Sequence, residues 1–222
     1  MSQEDQSVRE KIILAAIRCI EREGIHSLTT RTIAKEAGVN SAAINYYFGA
    51  KEKLIDEALR HAMNNAIGDS GEIMARSDDP YFNLYTIFSL FLTGMLRYPG
   101  LMKALFYDPF IQEKCTGPFN QHLSMILNEL LHKMEPLVVN ENEASLKLSI
   151  VQMCSTVFFM GLFPKFFQDF LNLDLTSPEK QREYMEHLFS HYQLGLKFEN
   201  TGEQRRLVKE MVDYYMGNKL EV

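Results

Sequence analysis

The sequence predicts an all-α chain, with an N-terminal three-helix helix-turn-helix domain followed by a larger helical body. Three observations carry that expectation. Apolar residues recur at three- and four-residue spacing from Val8 onward, with no stretch of strand-like alternation. Glycines and prolines (Gly24, Gly38, Gly49, Pro99-Gly100, Pro118, Pro164, Pro178) punctuate those periodic segments. Thr29–Lys51, TTRTIAKEAGVNSAAINYYFGAK, reads as two short helices around a tight Gly-containing turn. At 222 residues and 46% hydrophobic composition the chain can bury a real core.

Taken in order, Ser7–Glu23 places Val8, Ile12, Ile13, Ala16, Ile17 and Ile20 on one helical face, and Gly24 closes it. Thr29 is positioned to cap the next helix, whose inward residues are Ile33, Ala34 and Ala37 before Gly38. Asn40 or Ser41 caps a third helix with Ala43, Ile44, Tyr47 and Phe48 in a stripe, stopped by Gly49. A fourth helix opens at Lys51 and runs to about Ile67, after which residues 68–79 are small and polar and are expected to end that helix or form a loop. Gly-Asp-Ser-Gly in that stretch matches the nucleophile segment of trypsin-like serine proteases. Its helical flanks and the following Glu72 are the wrong context, so it carries no catalytic expectation.

Helices are further expected over Tyr81–Tyr98, Leu101–Phe110, from Pro118 to about Glu135, Ala144–Phe163 with an extension to Leu171, 178–197 and Gly202–Gly217. Pro80–Leu96 and Leu148–Pro164 each lack charge for 17 residues. That is at the lower limit for a bilayer span. Polar stripes (Asn83, Thr86, Ser89, Thr93; Ser149, Gln152, Ser155 or Thr156) and flanks poor in Lys and Arg favour buried helices of a soluble protein and no membrane partner.

The net charge of −6 at first opposes nucleic-acid binding, but it is unevenly spread. Residues 1–60 hold nine basic and nine acidic groups, leaving 14 basic and 20 acidic to the remainder. The front segment can gather cations on one face, whereas the acidic body has no reason to touch DNA. Cys19, Cys115 and Cys154 are odd in number and lie in apolar surroundings, which fits reduced, buried thiols. The N-terminal MSQEDQSVRE lacks the apolar core of a signal peptide, so a cytoplasmic protein is expected.

The succession of a helix, Gly24, Leu28-Thr-Thr-Arg-x-Ile-Ala, Ala37-Gly-Val and Tyr46-Tyr-Phe-x-x-Lys-x-x-Leu resembles the TetR family of bacterial transcriptional regulators over about residues 8–59. The resemblance implies a DNA-binding domain over 1–52 and a ligand-binding and dimerisation domain over 53–222. It implies a homodimeric repressor that binds a near-palindromic double-stranded DNA operator and dimerises through helices near 144–171 and 178–197. Ligand binding would swing the helix starting at Lys51 and change the spacing of the two recognition helices.

Carried onto this chain, the resemblance makes Ser41–Tyr47 the recognition helix. Ser41, Ala42, Ala43 and Asn45 are then candidates for base contact, Asn45 through bidentate pairing with adenine and the alanines through thymine methyls. Thr30, Tyr46 or Tyr47, and Lys51 correspond to phosphate contacts, and Arg31 to a position that in some relatives reaches a base. The family pattern has Tyr at Asn45 and Thr at Ala43, and no Lys or Arg lies between Lys35 and Lys51.

An effector pocket in the second domain is expected among Phe88, Phe91, Met95, Phe106, Gln152, Met153, Thr156 and Phe159. With no charge in the two 17-residue apolar runs, its ligand is expected to be neutral or apolar. Glu179, Glu183, His187 and His191 fall four apart on one stripe, a spacing that two His could use for a metal; the expectation is a solvated or interface stripe, with no metal and no cofactor. No Gly-rich phosphate loop, nucleophile elbow or HExxH motif is present, so an enzyme is not expected. The alternatives are a DNA-binding dimer controlled by a protein partner and a helical enzyme of unassigned chemistry.

Overall fold

A computed structural model describes residues 3–111, 113, 117–135, 143–191, 206 and 210, and all regular structure among them is helical. The order is α1 (Gln3–Glu23), a single 3-10 turn (Ile25–Ser27), α2 (Thr30–Ala37), α3 (Ser41–Phe48), α4 (Lys51–Arg76), α5 (Pro80–Arg97), α6 (Pro99–Ile111), α7 (Pro118–Met134), α8 (Glu143–Leu162), α9 (Pro164–Leu171) and α10 (Pro178–His191). The expected helix over Gly202–Gly217 and residues 192–197 lie outside the described residues, save Arg206 and Glu210.

Five of these helices open on proline, at residues 80, 99, 118, 164 and 178. The ring presets φ, and the missing N–H would have had no helical partner in the first turn. Asp79 completes the start of α5 by accepting from the Tyr81 and Phe82 amides at 2.9 and 3.3 Å.

The chain divides into two compact units. Among the described residues, one holds the chain up to Gly68 together with those of Tyr98–His122; the other holds Asp69–Arg97 and those from Leu123 to His191. Position 52/53 lies in the first turn of α4, whose Leu54, Ile55, Ala58 and Met63 are buried in the N-terminal core. The same core takes in Leu101, Ala104 and Leu105 of α6, a helix expected in the second domain. In this unit Ile12, Ile17 and Ile20 of α1 meet Leu28, Ile33 and Ala37, then Ile44 and Phe48 of α3. Each fully buried Ile or Leu contributes about 1.5–3 kcal/mol.

Close packing sets the seat of α6. A methyl on Gly100 would lie 2.3 Å from the Glu21 carbonyl oxygen, and the Leu101 amide donates to the Glu21 carboxylate at 2.9 Å. The fourth helix, α4, runs past the expected Ile67 and ends within residues 68–79, at Arg76, as one of the two expectations had it. Gly71 in a helix costs only about 1 kcal/mol relative to Ala, and good helix formers follow it; the helix stops where Ser77 and Asp79-Pro80 begin a new cap.

In the second unit α5 is the central element, with Phe82, Leu84, Ile87, Phe88, Leu92 and Met95 buried. Against it α8 lays Leu146, Ile150, Met153, Val157 and Met160. Gly161 allows the closest approach, since an added methyl would be 2.7 Å from Met95. On another side Phe189 of α10 meets Tyr81, Tyr85 and Phe88 at 5.3, 5.0 and 6.4 Å between ring centroids. By length and composition α8 could cross a membrane; its buried face packs on α5. Its other face exposes Leu148, Val151 and Phe159, continued by Phe163 and by Phe166, Phe170 and Leu171 on α9.

Candidate nucleic-acid interface

Local chemistry fixes the geometry of α2 and α3. Thr29 Oγ1 accepts from the Thr32 amide at 3.1 Å, capping α2. Gly38 then adopts φ 64°, a left-handed conformation that an L side chain would strain, and the Val39 amide donates to the Ala34 carbonyl at 2.9 Å. Asn40, rather than Ser41, caps α3, its Oδ1 accepting from the Ala42 amide at 3.0 Å. Gly49, at φ 74°, ends α3 with its amide on the Asn45 carbonyl at 3.0 Å.

Ile44 and Phe48 anchor α3 in the core, which turns Ser41, Ala42, Asn45 and Tyr46 outward, Tyr46 with 78% of its surface exposed. Ala43 is half-buried against the core. The two tyrosines separate: Tyr47 packs on the core and donates its hydroxyl to Asp5 at 3.1 Å, while Tyr46 stands free of the core and meets Tyr47 edge-on at 4.9 Å. The outward face therefore presents hydroxyl, amide, methyl and phenol groups and no formal charge.

The cations around this unit fall into two sets. Arg9 pairs with Glu57 and lies 5.2 Å from the Phe48 ring centroid. Arg18 and Arg22 of α1 both donate to Glu36 of α2, at 3.0 and 3.1 Å. Those guanidinium groups hold the Glu36 carboxyl below the ordinary carboxylate range. Arg31, Lys35, Lys11 and Lys53 are exposed and make no ion pair among the described residues, and the Lys11 ammonium lies 3.8 Å from the methyl position of Gly38. Arg31 and Lys35 stand one turn apart on α2.

Lys51 is half-buried, and its Nζ donates to the Leu28 carbonyl at 3.2 Å. It ties the start of α4 to the strand of chain leading into α2 and keeps two further donors. Thr30, at the first position of α2, is half-exposed. Sequence reading omitted Lys11, Lys35 and Lys53; pairing of the neighbouring arginines is what leaves these lysines available, a relation that spacing along one helix does not reveal.

The residues expected to form one effector pocket are not brought together. Phe88, Met95 and Met153 are core of the second unit, with Phe91 beside them against Phe158 at 5.6 Å. Phe106 belongs to the other unit, where it packs on Phe119 at 4.5 Å. Gln152 and Phe159 point outward, because α8 buries the opposite stripe, and Thr156 is half-buried with its hydroxyl on the Gln152 carbonyl. Cys19 and Cys154 are buried, and desolvation raises both thiols, Cys154 to about 12. Among the described residues no three His, Cys, Asp or Glu side chains gather as metal ligands; on α10 Glu183 is paired with Lys180 and His187 is exposed.

Residues 12–58 match the sequence profile of the bacterial regulatory proteins of the tetR family. The chain is 39% identical over 72 residues to the HTH-type transcriptional regulator BetI of Brucella anthropi, covering 32% of this chain and 37% of that protein. It is 36% identical over 62 residues to BetI of Vibrio vulnificus, covering 28% and 31% respectively. The match thus spans about a third of the length of these relatives. Among solved structures, a transcriptional regulator from Rhodococcus sp. Rha1 superposes with a TM-score of 0.64 at 18% identity, over 86% of this chain and 98% of that one. A Saccharomonospora viridis protein solved in complex with choline gives 0.65 at 17%, over 84% and 97%.

Fold and site together define a helix-turn-helix protein with a second helical unit. Residues 12–58 match the tetR family of bacterial regulatory proteins, and the described residues have the fold of solved TetR-family transcriptional regulators.

Proposed function

We propose that this chain is a cytoplasmic, homodimeric repressor that reads a near-palindromic operator with α3 and releases it when a neutral or apolar small molecule binds the second unit. The observation that carries the reading is the outward face of α3: four residues held away from the core, with unpaired cations on α1, α2 and α4 to take phosphates. Asn45 and Ser41 supply hydrogen bonds to base edges and Ala42 meets a thymine methyl, with Ala43 behind it. Thr30, Arg31, Tyr46, Lys51 and the lysines 11, 35 and 53 position the backbone. The apolar stripe Leu148, Val151 and Phe159 of α8, together with α10, is the surface for a twofold mate, as two such stripes would bury each other. Unbroken from Lys51 to Arg76, α4 can carry motion toward the reading head.

Fluorescence anisotropy with palindromes from upstream of the chain's own gene tests this. The wild type should prefer one of them to scrambled DNA, and Asn45→Ala should lose about 1–3 kcal/mol of that preference. Arg31→Ala should weaken all sequences alike and reduce the salt slope by about 1. Equal affinity for every palindrome and for scrambled DNA would sink the reading. Sedimentation of Val151→Arg, expected to shift the dimer to monomer, tests the stripe independently.

A further inference from the structure

Two oxygen atoms in the interior of the second unit have nothing donating to them. Asn83 and Thr86 are both 0% exposed, and they lie one turn apart on α5, so their side chains share a face. Asn83 Nδ2 donates to the Ser77 carbonyl at 2.9 Å, which fixes the orientation of the amide and leaves Oδ1 as an unmet acceptor. Thr86 Oγ1 has no partner either.

Helix chemistry does not impose this. Ser89, Ser155 and Thr156 each turn their hydroxyl onto the carbonyl four residues earlier, at 2.8, 2.8 and 2.9 Å. Thr86 has the Phe82 carbonyl available in the same way and leaves it. Further along α5 the polar groups are matched within the protein: Thr93 Oγ1 and Gln181 Oε1 are 3.0 Å apart, and Gln181 Nε2 donates to the Leu175 carbonyl at 2.7 Å. The buried polar stripe is thus complete at its C-terminal end and open at its N-terminal end.

We infer that Asn83 Oδ1 and Thr86 Oγ1 are the recognition groups for a neutral effector bearing an N–H or O–H donor on an apolar body, such as a primary amide, a lactam or an alcohol. The inference rests on the effector reading above and names the chemistry of that effector. Buried polar atoms are almost always bonded, so an adjacent unmet pair marks a place where a partner from outside belongs. Asn83 Oδ1 can only accept, so the ligand must donate; the Thr86 hydroxyl can do either. A charged ligand is disfavoured because every buried polar residue described is uncharged and α5 carries no charge before Arg97, leaving an ion without a counter-charge.

Calorimetry on the full-length wild type and on Thr86→Val, which keeps the shape and removes the hydroxyl, tests it with matched probes. These are benzamide against N,N-dimethylbenzamide and cyclohexanol against cyclohexyl methyl ether; Asn83→Leu is a second variant that removes Oδ1. Each donor probe should bind the wild type about tenfold more tightly than its capped partner, and either variant should erase most of that ratio. Equal binding of donor and capped probes, or binding of neither up to the solubility limit, would overturn the inference. A crystal structure showing both oxygens bonded inside a closed core would do so too. Operator release by some other ligand, equally in wild type and Thr86→Val, would end this assignment and leave the effector reading standing. Donor-selective binding without any effect on DNA would keep the site and remove that reading.

Discussion

The helix-turn-helix and α5 treat polar groups in different ways. Around the helix-turn-helix, groups near the core are matched at home: Glu36 by two arginines, Tyr47 by Asp5, Lys51 by the Leu28 carbonyl and Glu21 by the Leu101 amide. In the second unit, α5 carries polar side chains into the interior and leaves two of their oxygens unmet. A helix-turn-helix matched within itself is suited to holding a surface still, whereas a helix with open acceptors is suited to being completed from outside.

The sharpest way to break that contrast is Gly100→Ala. The new methyl would meet the Glu21 backbone at 2.3 Å, where no rotamer can yield, so a loss of about 3 kcal/mol is expected in urea unfolding. Gly161→Ala makes the corresponding change in the second unit. There the obstacle is Met95, whose flexible thioether can give way although its Cβ cannot, and a smaller loss of about 1–2 kcal/mol should follow. If Gly161→Ala proved the more damaging, the idea that the second unit is the more adaptable would fail. Thr29→Ala, which deletes the α2 cap, should cost about 1 kcal/mol in the same measurement and leave the second unit untouched.

The smallest effect concerns Glu36. Its folded-state titration is held below the ordinary carboxylate range by Arg18 and Arg22, so the unfolded chain takes up the proton at the higher pH. The stabilisation is therefore present at neutral pH and is lost as pH falls through that depressed range. Because the pair is partly exposed, it is a few tenths of a kcal/mol. Glu36→Gln should flatten that part of the acid limb of a stability-versus-pH profile, and an unchanged limb would show that the arginines do not hold the two helices together.

Much of the N-terminal unit was legible because its signals are short-range. Thr29, Gly38, Asn40 and Gly49 each act within a turn of their own position, and the apolar stripe of α1 named the core. Tyr46 and Tyr47 could not be told apart from sequence, since both flank the buried stripe; Asp5, 42 residues away, decides it. The pocket set is dispersed over the described residues for a related reason. Phe and Met suit a core as well as a cavity, and helical spacing does not show that Phe106 joins a different unit from Phe88 or that Phe159 faces outward. The polar stripe Asn83, Thr86, Ser89 and Thr93 was visible in the sequence as a mark of a buried helix, but which of its members lack partners is a three-dimensional fact.

The exposed face of α3 has one more consequence. Ser41, Ala42, Asn45 and Tyr46 contribute little to the core that holds the helix, so substitutions there are nearly neutral to folding. If α3 reads DNA as proposed, a lineage carrying this scaffold can drift through many reading surfaces without passing through an unstable intermediate, by changing four side chains.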